Sequence, residues 1–81
     1  MFLEIITPEK KVFEGEVNLV TFPGSDGSFQ VLNDHAALIS SLKEGNVEFR
    51  DKKTEHTVGI TGGMVEILNN RVIVLAEGLV S

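Results

Sequence analysis

Two histidines are the side chains of this 81-residue chain best suited to chemistry, and each has a carboxylate nearby in sequence. His35 follows Asp34 directly, behind the turn-rich stretch Phe22-Pro23-Gly24-Ser25-Asp26-Gly27-Ser28, while His56 closes the polar run 51–56. Ser25 or Ser28 with His35 and Asp26 supplies the letters of a nucleophilic triad, in which histidine takes the serine proton and aspartate orients the ring. Neither serine lies in a G-x-S-x-G elbow, the strained turn that would lift its hydroxyl toward a substrate. Zinc needs three or four ligands at compatible spacing, and two isolated histidines do not supply them. The Pro23–Gly27 segment has no lysine at its end and opens no long helix, so it lacks both the charge and the dipole of a phosphate loop. Glu14 and Glu16, two apart, form an acidic stripe of the kind that water solvates. No catalytic, metal or cofactor residue is assigned. His35 is expected to hydrogen-bond within its own tight loop, and Gly24 and Gly27 to supply positive φ to the turn.

Composition points the same way. One domain is the limit at this length, and so short a chain buries only roughly 60% of the surface its unfolded form exposes. The absence of cysteine rules out disulfides and thiolate metal sites. Nine Glu and three Asp against five Lys and two Arg give a formal charge of −5, without any basic cluster beyond single pairs. That balance argues against nucleic acid and against polybasic attachment to a membrane. The start, Met1 to Lys11, has no basic region ahead of a sustained apolar one, so it does not resemble a signal peptide. No run reaches the 18 apolar residues of a spanning helix. With no Trp and no Tyr, the chain also lacks the aromatic platform of a sugar-binding face.

The elements that must position these residues are strands throughout. Residues 3–8 form one, stopped by Pro8, which cannot donate to a ladder. The run 12–24 is expected as a single strand bent or bulged at Gly15, with Val17, Leu19 and Thr21 on one face. Phe29 and Val31 share a side of the next strand, and 36–40 is too short and apolar to assign. Val47 and Phe49 alternate with Glu48 and Arg50, and residues 51–56 read as a hairpin turn. The clearest signal is two apolar runs joined by Asn69-Asn70, a pair that tolerates positive φ in a primed two-residue turn. Gly62-Gly63 permits a bend or a close strand approach. The fold class is therefore all-β: a small β sandwich or flattened barrel of about eight to ten strands. Too small for an internal active site, such a domain presents its faces to partners. A free-standing module for a small molecule or peptide would need a well-formed pocket.

Three segments carry a resemblance: residues 3–17 (LEIITPEKKVFEGEV), 20–40 (VTFPGSDGSFQVLNDHAALIS) and 60–77 (ITGGMVEILNNRVIVLAE). Together they resemble the epsilon-subunit family of the proton-translocating ATP synthase, over almost the whole chain and in register. The resemblance implies a ten-stranded sandwich in the central stalk, bound to the gamma subunit and resting on the ring of c subunits. It implies no cofactor, no bond chemistry, and a peripheral place on the cytoplasmic side of the bacterial inner membrane, reached only through partners. By position, Gly24, Ser25, Asp26, Gly27, Ser28 and His35 resemble the part that faces the c ring. Ala36, Leu38, Ile39 and Leu42 are the expected gamma-facing residues. Many members have proline where Ala37 stands, and typical members continue into a pair of α-helices after the sandwich. The sequence ends at Ser81 without that pair, so residues 1–81 are expected to be a single sandwich domain, natively short, to which the helices' inhibitory role cannot be given.

Overall fold

A computed structural model describes residues 1–80. It contains nine strands: β1 (Phe2–Ile6), β2 (Lys11–Glu16), β3 (Leu19–Gly24), β4 (Gly27–Leu32), β5 (Leu38–Leu42), β6 (Gly45–Arg50), β7 (Glu55–Ile60), β8 (Gly63–Leu68) and β9 (Arg71–Ala76). Ser81 lies outside the described residues. The strands form one continuous sheet in the order β2-β1-β9-β8-β5-β3-β6-β7, with β4 on the outer edge of β3. The sheet curls into a sandwich, so that Phe13 of β2 meets Phe49 of β6 with ring centroids 4.5 Å apart. Every pairing is antiparallel except β1 with β9, the first and last strands, which run side by side. The described residues hold nine strands where the resemblance implies ten; beyond β9, Leu79 forms only an isolated bridge to Ile60 at the end of β7.

Alternation builds the core. In β6 and β8 every second residue is buried, which sends Val47, Phe49, Val65 and Ile67 inward and Glu48, Arg50, Glu66 and Leu68 outward. Leu3, Ile5, Val17, Val20, Phe22, Val31, Ile60, Val72 and Val74 join them in the core. Thr7, the one buried polar residue among those described, closes the turn at Pro8 by bonding the Lys10 backbone through both its N–H and its hydroxyl.

The long run 12–24 is two strands, and the break falls at Val17-Asn18, two residues beyond Gly15. The Val17 N–H donates to the Met1 carbonyl and the Asn18 N–H to the Arg50 carbonyl, so these residues tie together the ends of β1 and β6. The two-residue break also resets the phase: Val17 is buried, yet the inward residues of β3 are Val20 and Phe22, with Leu19 and Thr21 outside. The bulge is at Val12, skipped between the pairs Ile5–Phe13 and Ile6–Lys11. Residues 36–40, unassigned from sequence, lead into and form most of β5.

Candidate functional site

The β3–β4 hairpin puts Ser25 and Asp26 at its tip, at one end of the sandwich. Two residues of the β5–β6 side brace it. The Ser25 N–H donates to the Ser41 carbonyl (3.1 Å), the Ser41 hydroxyl to the Ser25 hydroxyl (2.9 Å), and the Lys43 N–H to the Pro23 carbonyl (2.9 Å). Gly27 has φ of 130°, as a turn glycine should, but Gly24 does not adopt positive φ. It is needed for space instead: a Cβ there would lie 2.5 Å from the Gly27 carbonyl and 2.8 Å from the Phe29 ring. Asp26 and the neighbouring Lys43-Glu44 turn are exposed, so this end offers charge on a fixed backbone.

His35 is not there. It follows β4 at the opposite end, and β4 alone separates the two ends by roughly 17 Å at 3.3–3.4 Å per residue. Its Nδ1–H donates to the Ala36 carbonyl (2.8 Å), which keeps the ring within its own loop. Around it, the Asp34 N–H donates to the Asn70 side chain (2.8 Å), and the Met1 amino group donates to the Val17 carbonyl and the Asn33 side chain. The triad letters are thus split between ends, with Ser25, Asp26 and Ser28 beside one turn and His35 beyond the far end of the strand.

His56 is a strand residue, not part of the turn, which occupies 51–54. It pairs with Phe49 across β6 and β7 and stacks on that ring at 5.0 Å and 15°. Its Nε2 lies 3.4 Å from Asp51 Oδ2. Asp51 Oδ1 accepts the N–H groups of Lys53 and Thr54, and these bonds, the Lys53 one foremost, hold its carboxyl below the ordinary aspartate range. The pair therefore closes a turn. Among the described residues no three of His, Asp and Glu converge as metal ligands. The recess beside His56, about 280 Å³, is an open groove between Thr21, Gln30, Glu48 and Thr57.

The four apolar residues after His35 separate by depth. Leu42 is buried in the core and Leu38 packs against it, whereas Ala36 and Ile39 are on the surface. Ile39 is 63% exposed and belongs to a larger set that sequence reasoning missed. Across the outer face of β5, β8 and β9, Ile39 pairs with Glu66 and Glu66 with Ile73, while Met64 pairs with Leu75 and Leu68 with Arg71. Met64, Leu68 and Leu75 are each about half exposed (49%, 52% and 55%). A signal did exist: Val72-Ile73-Val74-Leu75 is apolar at four successive strand positions, which fills both faces where one core needs only one. The other half of the sheet presents Thr21, Gln30, Glu48, Arg50 and Thr57 around Leu19 and the exposed Leu32 (58%), so among the described residues its outer face is mostly polar with one apolar spot.

On the flank of that face, Glu4 receives Lys11 (3.2 Å) and Arg71 (3.4 Å), and Arg71 also lies 5.1 Å over the Phe2 ring. The bonds from Lys11 to Glu14 and then Glu4 raise the lysine above its ordinary pKa.

Residues 1–81 match the family described as "ATP synthase, Delta/Epsilon chain, beta-sandwich domain". The chain is 44% identical over 81 residues to an ATP synthase epsilon chain of Campylobacter curvus, covering 99% of this chain and 63% of that protein. It is 45% identical over 76 residues to the one of Chlorobaculum tepidum, covering 93% of this chain and 86% of that protein. The fold is shared with a chain of the Euglena gracilis mitochondrial ATP synthase assembly (TM-score 0.88, 20% identity, 96% of this chain and 51% of that one). It is shared too with one from the Tetrahymena thermophila mitochondrial ATP synthase central stalk and c ring (TM-score 0.82, 22% identity, 99% and 65%).

Proposed function

We propose that this chain, which belongs to the family of ATP synthase delta/epsilon-chain β-sandwich domains, couples c-ring rotation to gamma rotation by holding both partners on one stiff body. The epsilon chain is a non-catalytic component of the central stalk, so the part proposed here is mechanical. The observation that carries it is the apolar outer face of β5, β8 and β9, which a free-standing domain of this size has no reason to expose. Gamma covers that face, with Ile39, Met64, Ile73 and Leu75 at its centre and Ala36 at its margin. Removing four or five half-exposed aliphatic side chains from water contributes about 1 kcal/mol each, enough for a lasting contact when shape also fits.

The c ring meets the end that carries Ser25, Asp26, Lys43 and Glu44. Ser41 and the Lys43 backbone keep the hairpin tip from yielding under load, and the close-packed sandwich passes the torque on. His35, at the other end, belongs with the gamma side of the molecule. Membrane contact comes only through these partners, on the cytoplasmic side of a bacterial inner membrane. The chain spans 63% of the Campylobacter curvus relative but 86% of the Chlorobaculum tepidum one, so a sandwich is nearly the whole of some epsilon chains.

Size-exclusion chromatography of the purified chain with the gamma subunit of its own organism tests this reading. Co-elution at micromolar concentration is expected. Separate elution at tens of micromolar would remove it.

A further inference from the structure

One charged group stands in the middle of the apolar face. Glu66 on β8 lies directly between Ile39 of β5 and Ile73 of β9, with Met64 and Leu68 two residues away on its own strand. All five project from the same side of the sheet, and Glu66 is exposed. Among the described residues its carboxylate makes no ion pair and no hydrogen bond. The contrast is with Glu4 of β1, at the flank of this face, which already pairs with Lys11 and Arg71. Those two cations are therefore engaged at the flank.

We propose that Glu66 determines which partner this face accepts, by pairing with a lysine or arginine that the partner carries inside an otherwise apolar contact surface. The inference rests on the reading that gamma binds here, and it specifies the chemistry of the gamma patch. Any occupant that buries Ile39 and Ile73 must also cover Glu66. A carboxylate taken from water without a counter-charge costs several kcal/mol, which would cancel most of what the apolar side chains contribute. A purely apolar partner is thereby disfavoured and a basic one selected.

The same geometry disfavours two other occupants. A twofold contact between copies of this face buries two copies of Glu66 with no cation at the patch centre to meet either of them. An anionic lipid surface would meet that carboxylate on a chain of formal charge −5. What fits is a protein segment with aliphatic side chains around a single cation.

Isothermal titration of gamma into wild-type protein, Glu66→Gln and Glu66→Lys, at low and high salt, tests the proposal. Glu66→Gln keeps the size of the side chain and removes its charge, and circular dichroism melts should coincide with wild type. Binding about ten- to a hundred-fold weaker is expected for Glu66→Gln, weaker again for Glu66→Lys, with a shallower salt dependence in both. If both variants bind gamma as tightly as wild type, Glu66 selects nothing and the proposal falls, while the gamma-binding reading stands. If wild type itself does not bind gamma, that reading falls first and this one with it. Sedimentation at 10–100 µM, as an order of magnitude for weak association, should give a monomer; a dimer abolished by Leu75→Asp would overturn the proposal in favour of a second copy.

Discussion

Gly63 sits so close to Leu75 that a Cβ on the glycine would overlap the Leu75 carbonyl oxygen. The two strands join here at the start of β8, where Gly63 pairs with Ala76 at φ of 149°. This contact sets the register that puts Met64 beside Leu75 on the outer face and Val65 opposite Val74 in the core. The position requires glycine twice over, for its backbone angle and for room against a backbone that cannot step aside.

Gly63→Ala is therefore expected to destabilise the fold more than Gly27→Ala. Gly27 also has positive φ, at 130°, but faces open space. Alanine at 27 should cost about 1–2 kcal/mol from its backbone angle alone. Alanine at 63 should cost at least about 1 kcal/mol more, because strands β8 and β9 must part to admit it. Urea unfolding of the two variants gives the comparison, and equal losses would show that the close approach relaxes freely.

Leu42 and Ile39 occupy one strand but opposite sides of the sheet, which makes their expected effects complementary. Leu42→Ala opens a cavity in the core and should cost about 2–5 kcal/mol. Ile39→Asp changes a surface position but sets a carboxylate opposite Glu66 in place of a β-branched side chain, and should cost about 1 kcal/mol. Co-elution with gamma should behave in reverse, surviving Leu42→Ala in whatever fraction remains folded and failing for Ile39→Asp. Retained gamma binding by Ile39→Asp would move the interface off this face.

How far the sequence foretold this molecule depends on how local the determinant was. The Asn69-Asn70 hairpin was legible because its turn chemistry and both apolar strands lie within a few residues of one another, and both asparagines do take positive φ (52° and 61°). Pro8 ended β1 for a reason internal to proline. The break at Val17-Asn18 was not legible, since the bonds that make it reach to Met1 and Arg50. Distance misled for His35 as well: eight residues from Gly27 look close in sequence, but six of the chain's positions there form an extended strand that carries the histidine to the far end. The apolar face was half visible. Val72 to Leu75 announced a strand apolar on both sides, but only the assembled sheet shows that Ile39, Met64 and Leu68 join Ile73 and Leu75 around Glu66.

Asn70 joins the hairpin to the His35 loop, and substitutions can separate its two roles. Its φ of 61° favours Gly or Asn, and its side-chain oxygen accepts the Asp34 N–H at 2.8 Å. Asn70→Gly keeps the turn but removes that acceptor, while Asn70→Ala loses both and should cost about 1–2 kcal/mol more than the glycine variant. Asn69→Gly should be neutral, since no side-chain bond of Asn69 is lost among the described residues. Hydrogen exchange at the Asp34 amide should accelerate in both position-70 variants and stay unchanged in Asn69→Gly. Unchanged protection in Asn70→Gly would mean that the loop holds its shape without this bond.

Asp51 offers a test in which pH reads out a turn. The N–H groups of Lys53 and Thr54, with a smaller part from His56, favour its ionised form and lower its pKa in the folded chain. A carboxyl depressed by folding contributes stability above its unfolded value, near 3.8, and loses that contribution as pH falls through the folded value. Asp51→Asn retains an acceptor oxygen for both amides but carries no charge. The variant should melt below wild type at pH 7, and the two melting temperatures should converge as pH is taken from about 4 downward. Melting curves between pH 7 and pH 3 would decide it. A gap that persists undiminished at pH 3 would assign the difference to the geometry of the amide and not to the carboxylate charge.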